Sequence, residues 1–170
     1  MNYKEHIRSV VDFPKEGIDF KDITTVLKDP KLYKQCMEDL SSLVDDIEFD
    51  LIVAPEARGF MVGGPVAYLQ NVGFVPIRKP GKLPAETLSY EYDLEYGQDI
   101  LEMHKDAIKP GQKVVLCDDL LATGGTLEAA IQMVNQLGGE VVAILCFIEL
   151  EFLNGKDRFK DIPVKVLVKY

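Results

Sequence analysis

The chain has 170 residues, 47% hydrophobic and 28% charged, an ordinary balance for a globular protein and enough length to bury a proper core. Its formal net charge of −9 argues against nucleic acid as a partner, because that role needs a positive surface. No stretch reaches transmembrane length and the opening MNYKEHIRSV is too polar for a signal peptide, so a cytoplasmic protein without a membrane partner is expected.

Three cysteines, Cys36, Cys117 and Cys146, each sit in an apolar pattern and read as buried reduced thiols. Residues 2–10 suit a short helix with Ile7 and Val10 inward, and the following FPKEGIDFKDIT reads as a loop broken by Pro14 and Gly17. Asp29-Pro30 starts a helix, with Asp as cap and Pro in the first turn. Its apolar positions run at helical spacing from Leu32 to Val44. Residues 51–54 form a buried strand that enters Pro55-Glu56-Ala57-Arg58-Gly59. A helix over 60–70 and a strand over 74–77 follow, although Gly63, Gly64 and Pro65 interrupt the helical pattern. Residues 78–98 are the least regular, and 99–104 alternate like a strand. Phe13, Phe60 and Phe147 read as core, while His6 and His104 are too few for a metal site.

Pro110-Gly111 turns the chain into VVLCDDLLATGGT, residues 114–126, which organises the rest. The spacing predicts a strand over 113–117, an acidic corner at Asp118 and Asp119, a loop of small residues, and a helix over 127–137. Gly138-Gly139 ends that helix. A long strand over 141–150, a surface connection over 155–161 and a last strand over 164–168 complete the chain. Strands alternating with helices predict an α/β fold with a parallel sheet, its ligands at the carboxyl ends of the strands.

The small-residue loop has a chemical use. Backbone N–H groups at a helix N-terminus, unobstructed by bulky side chains, make a cradle for phosphate. Gly124 and Gly125 allow close approach, and Thr123 and Thr126 add hydroxyl donors. Two carboxylates beside a phosphate must address something neutral or cationic, and ribose hydroxyls or a magnesium shell both qualify. The loop has neither the Lys-Ser/Thr ending of a Walker A sequence nor a GxGxxG turn. Arg78, Lys79 and Lys82 place three cations straight after a strand in an acidic protein, which suits a second phosphate group.

Residues 114–126 resemble the phosphoribosyl-diphosphate motif of the type I phosphoribosyltransferases. EARGF (56–60), RKPGKLP (78–84), YDLEYG (92–97) and FKDIT (20–24) are similar to the adenine-using members, in their order and spacing. The resemblance runs from Phe13 to about Glu151. It implies the type I phosphoribosyltransferase fold: a single domain with a parallel sheet flanked by helices, an N-terminal hood over 1–30, and a basic loop and flexible lid over 79–105. It also implies a homodimer that converts adenine and phosphoribosyl diphosphate to AMP and diphosphate, with Mg2+ carried by the substrate and no direct protein ligand.

By position, the resemblance gives Asp118 and Asp119 the ribose hydroxyls, and Ala122, Thr123, Gly124, Gly125 and Thr126 the ribose 5-phosphate. Arg58, Lys79 and Lys82 take the diphosphate. Phe20 and Leu120 sandwich the base, while main-chain groups of Asp19 and Lys21 read its edge. Glu95 is the acid/base and Tyr96 part of the closing lid. Asp19 and Lys21 depart from the family, which usually has an apolar residue and Arg there. A transferase for another purine base, or a non-catalytic sensor of phosphoribosyl diphosphate, are the alternatives.

Overall fold

A computed structural model of the chain describes residues 1–93 and 98–170. Glu95 and Tyr96, the acid/base and lid residues that the resemblance assigns, lie outside the described residues. The elements are β1 (Arg8–Val11), β2 (Asp19–Asp22), α1 (Thr24–Leu27), α2 (Pro30–Ser42), β3 (Leu51–Pro55), α3 (Arg58–Gln70) and β4 (Gly73–Ile77), then β5 (Thr87–Asp93), β6 (Gln98–His104), β7 (Lys113–Leu121), α4 (Gly125–Gln136), β8 (Glu140–Glu149) and β9 (Val164–Lys169).

Five strands form one sheet in the order β4-β3-β7-β8-β9, every neighbouring pair parallel. Period-two alternation divides its side chains between two cores. Val115, Cys117, Leu145 and Phe147 join α2 and α3 on one face. Val114, Leu116, Ile144 and Cys146 join α4 on the other. All three cysteines are buried and free, as expected.

The predicted α2 boundary is sharp for a local reason. Asp29 Oδ1 accepts from Lys31 N at 2.9 Å and Leu32 N at 3.1 Å, with Pro30 opening the helix, and a cap of this kind contributes about 1 kcal/mol. Pro65 is tolerated inside α3 because the carbonyl it leaves without a helical donor, that of Met61, accepts from Tyr33 Oη at 2.6 Å. Gly63 lets α3 press on the sheet, since a Cβ there would stand 3.0 Å from Ala54 Cβ.

Several expectations are corrected. Residues 2–10 are a 3-10 turn at Tyr3–Glu5 followed by β1, and the expected loop over 13–24 contains β2. Val10 and Phe20 are cross-strand partners in the β1–β2 hairpin, so pairing overrides a weak helical pattern. Phe13 is 51% exposed; it meets Phe20 edge-on at 5.2 Å rather than the core. The irregular region contains β5, which pairs with β6 in a second hairpin. β7 continues past Cys117 to Leu121, so the two aspartates belong to the strand and not to a corner after it.

Candidate active site

The sheet order fixes where a ligand crevice can form. The connection β3–α3–β4 leaves the central pair toward one edge, and β7–α4–β8 leaves toward the other. Their helices cover opposite faces, so the carboxyl ends of β3 and β7 flank a topological switch point, the usual crevice of an open parallel sheet. Glu56, Ala57 and Arg58 emerge from β3 there, with a cis peptide between Glu56 and Ala57. Asp118 and Asp119 lie in the last four residues of β7, and residues 122–124 lead into α4.

Gly124 takes φ +84°, in the left-handed region, and no side chain caps the first turn of α4. The N–H groups opening that helix therefore stay available to an anion. Asp119 is buried, and Arg58 Nη1 approaches its Oδ2 to 3.2 Å without the alignment of a hydrogen bond. Burial pushes the Asp119 carboxyl up from its ordinary range, and the Arg58 charge opposes that rise. Burial raises the Asp118 carboxyl further, and Asp119 adds to the rise. Burial likewise pushes the Cys117 thiol up, so this cysteine is a strand residue and not a nucleophile.

A mostly apolar cavity of about 620 Å³ opens beside the cradle. Asp19, Phe20, Lys21, Leu120, Ala122 and Thr123 all line it, so residues expected to hold a base and a phosphate meet around one space. The two family departures compensate each other. Asp19 and Lys21 project from the same face of β2, and Lys21 Nζ donates to Asp19 Oδ2 at 2.7 Å and to Ser9 Oγ at 2.7 Å. That bond holds the Asp19 carboxyl below its ordinary range, so its charge is already matched. Phe20, between them, carries the Arg58 guanidinium 5.1 Å from its ring centre.

The basic loop is organised by one carboxylate. Glu56 Oε1 accepts from the Lys79 backbone N–H at 2.5 Å, while Oε2 meets Arg78 Nη2 at 3.3 Å and Lys82 Nζ at 3.1 Å. Lys79 Nζ pairs with Asp99 on β6, which also accepts from Tyr92 Oη at 3.2 Å. Tyr92 Oη in turn lies 3.4 Å from Thr126 Oγ1, linking the β5–β6 hairpin to the cradle. The three cations expected at the diphosphate are thus not one cluster. Arg58 faces Asp119 and Phe20, whereas Lys79 and Lys82 are held by Asp99 and Glu56.

Comparison with known proteins shows the family and the fold. The family model for the phosphoribosyl transferase domain matches residues 22–169. This chain belongs to the phosphoribosyltransferase family. A protein of Alkaliphilus metalliredigens named adenine phosphoribosyltransferase is 58% identical over 170 residues, covering 100% of both chains. The crystal structure of adenine phosphoribosyltransferase from Thermoanaerobacter pseudethanolicus is 56% identical, with a TM-score of 0.96 over 98% of this chain and 97% of that one. The Giardia lamblia enzyme complexed with 9-deazaadenine is 33% identical, with a TM-score of 0.93 over 99% and 96%.

Other residues around the candidate site of this phosphoribosyltransferase-family chain escaped the sequence reading. Glu56, Asp99 and Tyr92 hold the basic loop and hairpin, but a carboxylate that organises cations has no local sequence signature. Leu150, Phe152 and Leu153 also line the cavity. The available signal was an apolar pair, Phe152 and Leu153, just beyond the long apolar run of β8; the structure leaves them 70% and 37% exposed. For magnesium, the described residues contain no group of three or more His, Cys, Asp or Glu side chains able to hold a metal.

Proposed function

We propose that the chain is a purine-salvage enzyme that joins adenine to phosphoribosyl diphosphate, giving AMP and diphosphate. The observation that carries this reading is the shared cavity, where Phe20 and Leu120 stand beside Ala122 and Thr123 of the cradle. A base seated against the first pair has its ribose phosphate within reach of the second. Asp118 and Asp119 are assigned the ribose hydroxyls, and Thr123 to Thr126 the 5-phosphate.

The reaction is displacement at the anomeric carbon, through a transition state with oxocarbenium character. Negative charge develops on the departing diphosphate, and Arg58, Lys79 and Lys82 answer it better in the transition state than in the ground state. Lys79 and Lys82 must first exchange their carboxylate partners for the diphosphate. Magnesium bound with the substrate supplies further neutralisation of that charge. Glu95 takes the proton that adenine loses from its five-membered ring, and Tyr96 closes the 79–105 lid over the site.

Main-chain groups of Asp19 and Lys21, two residues apart, share an edge of β2. A carbonyl there accepts from the exocyclic amine of adenine but faces an oxygen in hypoxanthine or guanine, a mismatch worth about 1–3 kcal/mol. The β1–β2 hairpin is the core of the 1–30 hood, and the whole chain acts as one domain. A homodimer belongs to the same reading, because it would cover Met61, Tyr68 and Leu69, exposed apolar residues on α3; sedimentation velocity tests it. A cytoplasmic location agrees with three free cysteines and with no described helix long and apolar enough to cross a membrane.

The decisive experiment is formation of nucleotide from phosphoribosyl diphosphate, magnesium and each of adenine, hypoxanthine and guanine. AMP from adenine alone is expected. Turnover of a 6-oxopurine overturns the main-chain readout, and binding of phosphoribosyl diphosphate without turnover of any base makes the chain a sensor.

A further inference from the structure

The stretch after β8 carries no catalytic side chain, yet its backbone is locked against the phosphate cradle. A Cβ added to Gly155 would stand 2.0 Å from the carbonyl oxygen of Ala122, far inside van der Waals contact, and 3.0 Å from the carbonyl carbon of Thr123. Gly155 is buried while the residues on either side of it are exposed. The fit continues on the next residue of the cradle. A Cβ on Gly124 would meet the Phe159 ring at 3.0 Å and the Gly155 carbonyl oxygen at 3.1 Å, and Phe159 is itself buried. Arg158 Nη1 then ties the segment to the first turn of α4 through Glu128 Oε2 at 2.5 Å.

We propose that Gly155 and Phe159 are positioning residues for the phosphate cradle: two 3-10 turns, Glu151–Leu153 and Gly155–Phe159, form a buttress that sets where residues 122–124 lie. The inference rests on the reading of that loop as the 5-phosphate site. The loop cannot hold itself, because Gly124 is in the left-handed region and lacks a capping side chain. A glycine-rich cradle keeps its N–H groups converged only when something behind it removes the freedom that glycine confers. Gly155 allows the two backbones to touch, and Phe159 closes the space over Gly124. The buttress also begins with Phe152 and Leu153 on the wall of the base cavity, so one piece of chain borders both halves of the site.

The test is steady-state kinetics on Gly155→Ala and Phe159→Leu in the full chain, with calorimetric titration of ribose 5-phosphate and a thermal melt for each. Displacing the cradle by about 1 Å, the shift needed to relieve the contact with Ala122, is expected to raise KM for phosphoribosyl diphosphate and weaken ribose 5-phosphate binding by roughly tenfold to a hundredfold in Gly155→Ala. Phe159→Leu gives a smaller change in the same direction, and KM for adenine moves less in both. Phe159→Leu keeps an apolar side chain in place and decides the matter if Gly155→Ala does not fold. A role confined to stability would instead lower the melting temperature and leave both KM values and ribose 5-phosphate affinity as in the unaltered protein; that result overturns the proposal. If the unaltered protein itself neither binds ribose 5-phosphate nor forms AMP, the functional reading falls, and the buttress with it.

Discussion

Arg58 Nη1 stands 3.2 Å from Asp119 Oδ2, and the same guanidinium lies 5.1 Å from the Phe20 ring centre. One side chain from the start of α3 thus joins the acidic stretch of β7 to the β1–β2 hairpin. Its partner carboxylate is 5% exposed while the guanidinium side chain is 40% exposed, so the cost of losing Arg58 falls chiefly on Asp119. Arg58→Ala leaves that buried carboxylate without its facing cation, a loss of about 1–3 kcal/mol. A fall in melting temperature of roughly 5 °C follows for a chain of this size. KM should rise for both substrates, since Phe20 loses the cation over its ring as the diphosphate loses a cation. Arg58→Lys restores charge but not the delocalised guanidinium over the Phe20 ring, so it should recover the phosphoribosyl diphosphate KM more than the adenine KM.

Glu56 makes a different prediction because it touches no substrate in the proposed reading. Its two oxygens meet the Lys79 N–H, Arg78 and Lys82, which turns a run of cations into a loop of fixed shape. Glu56→Ala removes the anchor and leaves those donors to solvent. Phosphoribosyl diphosphate KM should rise about tenfold, the equivalent of roughly 1.4 kcal/mol, with adenine KM nearly unchanged. Equal changes in both KM values would mean that Glu56 supports the whole crevice and not the basic loop.

The parts of the fold that sequence exposed are those with strong periodicity or local chemistry. The buried runs at β3, β7 and β8, and the Asp29-Pro30 start of α2, agree with the structure because burial on both faces and capping are written in neighbouring residues. The first hairpin was hidden, and of the second only β6 was legible. β1, with Arg8, Ser9, Val10 and Val11, is stabilised by pairing with β2 across a turn that contains Pro14 and Gly17, and its own residues show no alternation of burial. The cradle was legible because its glycines are contiguous. The buttress was not, because Gly155 is one glycine among polar neighbours, and only the approach of Ala122 gives it meaning.

Glu95 carries the proton step of the proposed reaction. Replacing it with Gln keeps the size and removes the base. kcat should fall by more than about 100-fold, the usual contribution of general acid–base catalysis, while KM for phosphoribosyl diphosphate stays close to that of the unaltered protein. The pH profile should also lose the limb that reports a carboxylate. A fall in kcat of less than about tenfold, with the limb retained, would assign the proton to solvent or to another group.

Asp118 offers a test in which stability and activity move in opposite directions. Its carboxyl is raised above the ordinary value of 3.8 by burial and then by Asp119. A group harder to ionise in the folded than in the unfolded chain opposes folding at every pH above its unfolded value. At neutral pH Asp118→Asn should therefore raise the melting temperature, by about 2–4 °C for each kcal/mol relieved. The gain should shrink as pH falls and vanish below about pH 4, where the carboxyl is protonated in both states. The amide oxygen of Asn can still accept from the Asp119 N–H, a bond of 2.8 Å in this structure, so that local bond is kept. Activity should nonetheless collapse, because a neutral amide replaces the acceptor assigned to a ribose hydroxyl. Such opposition is the mark of a residue retained for function at a cost to the fold. A variant less stable at pH 7, or a stability gain that persists at low pH, would show that burial of this carboxyl is not what the fold resists.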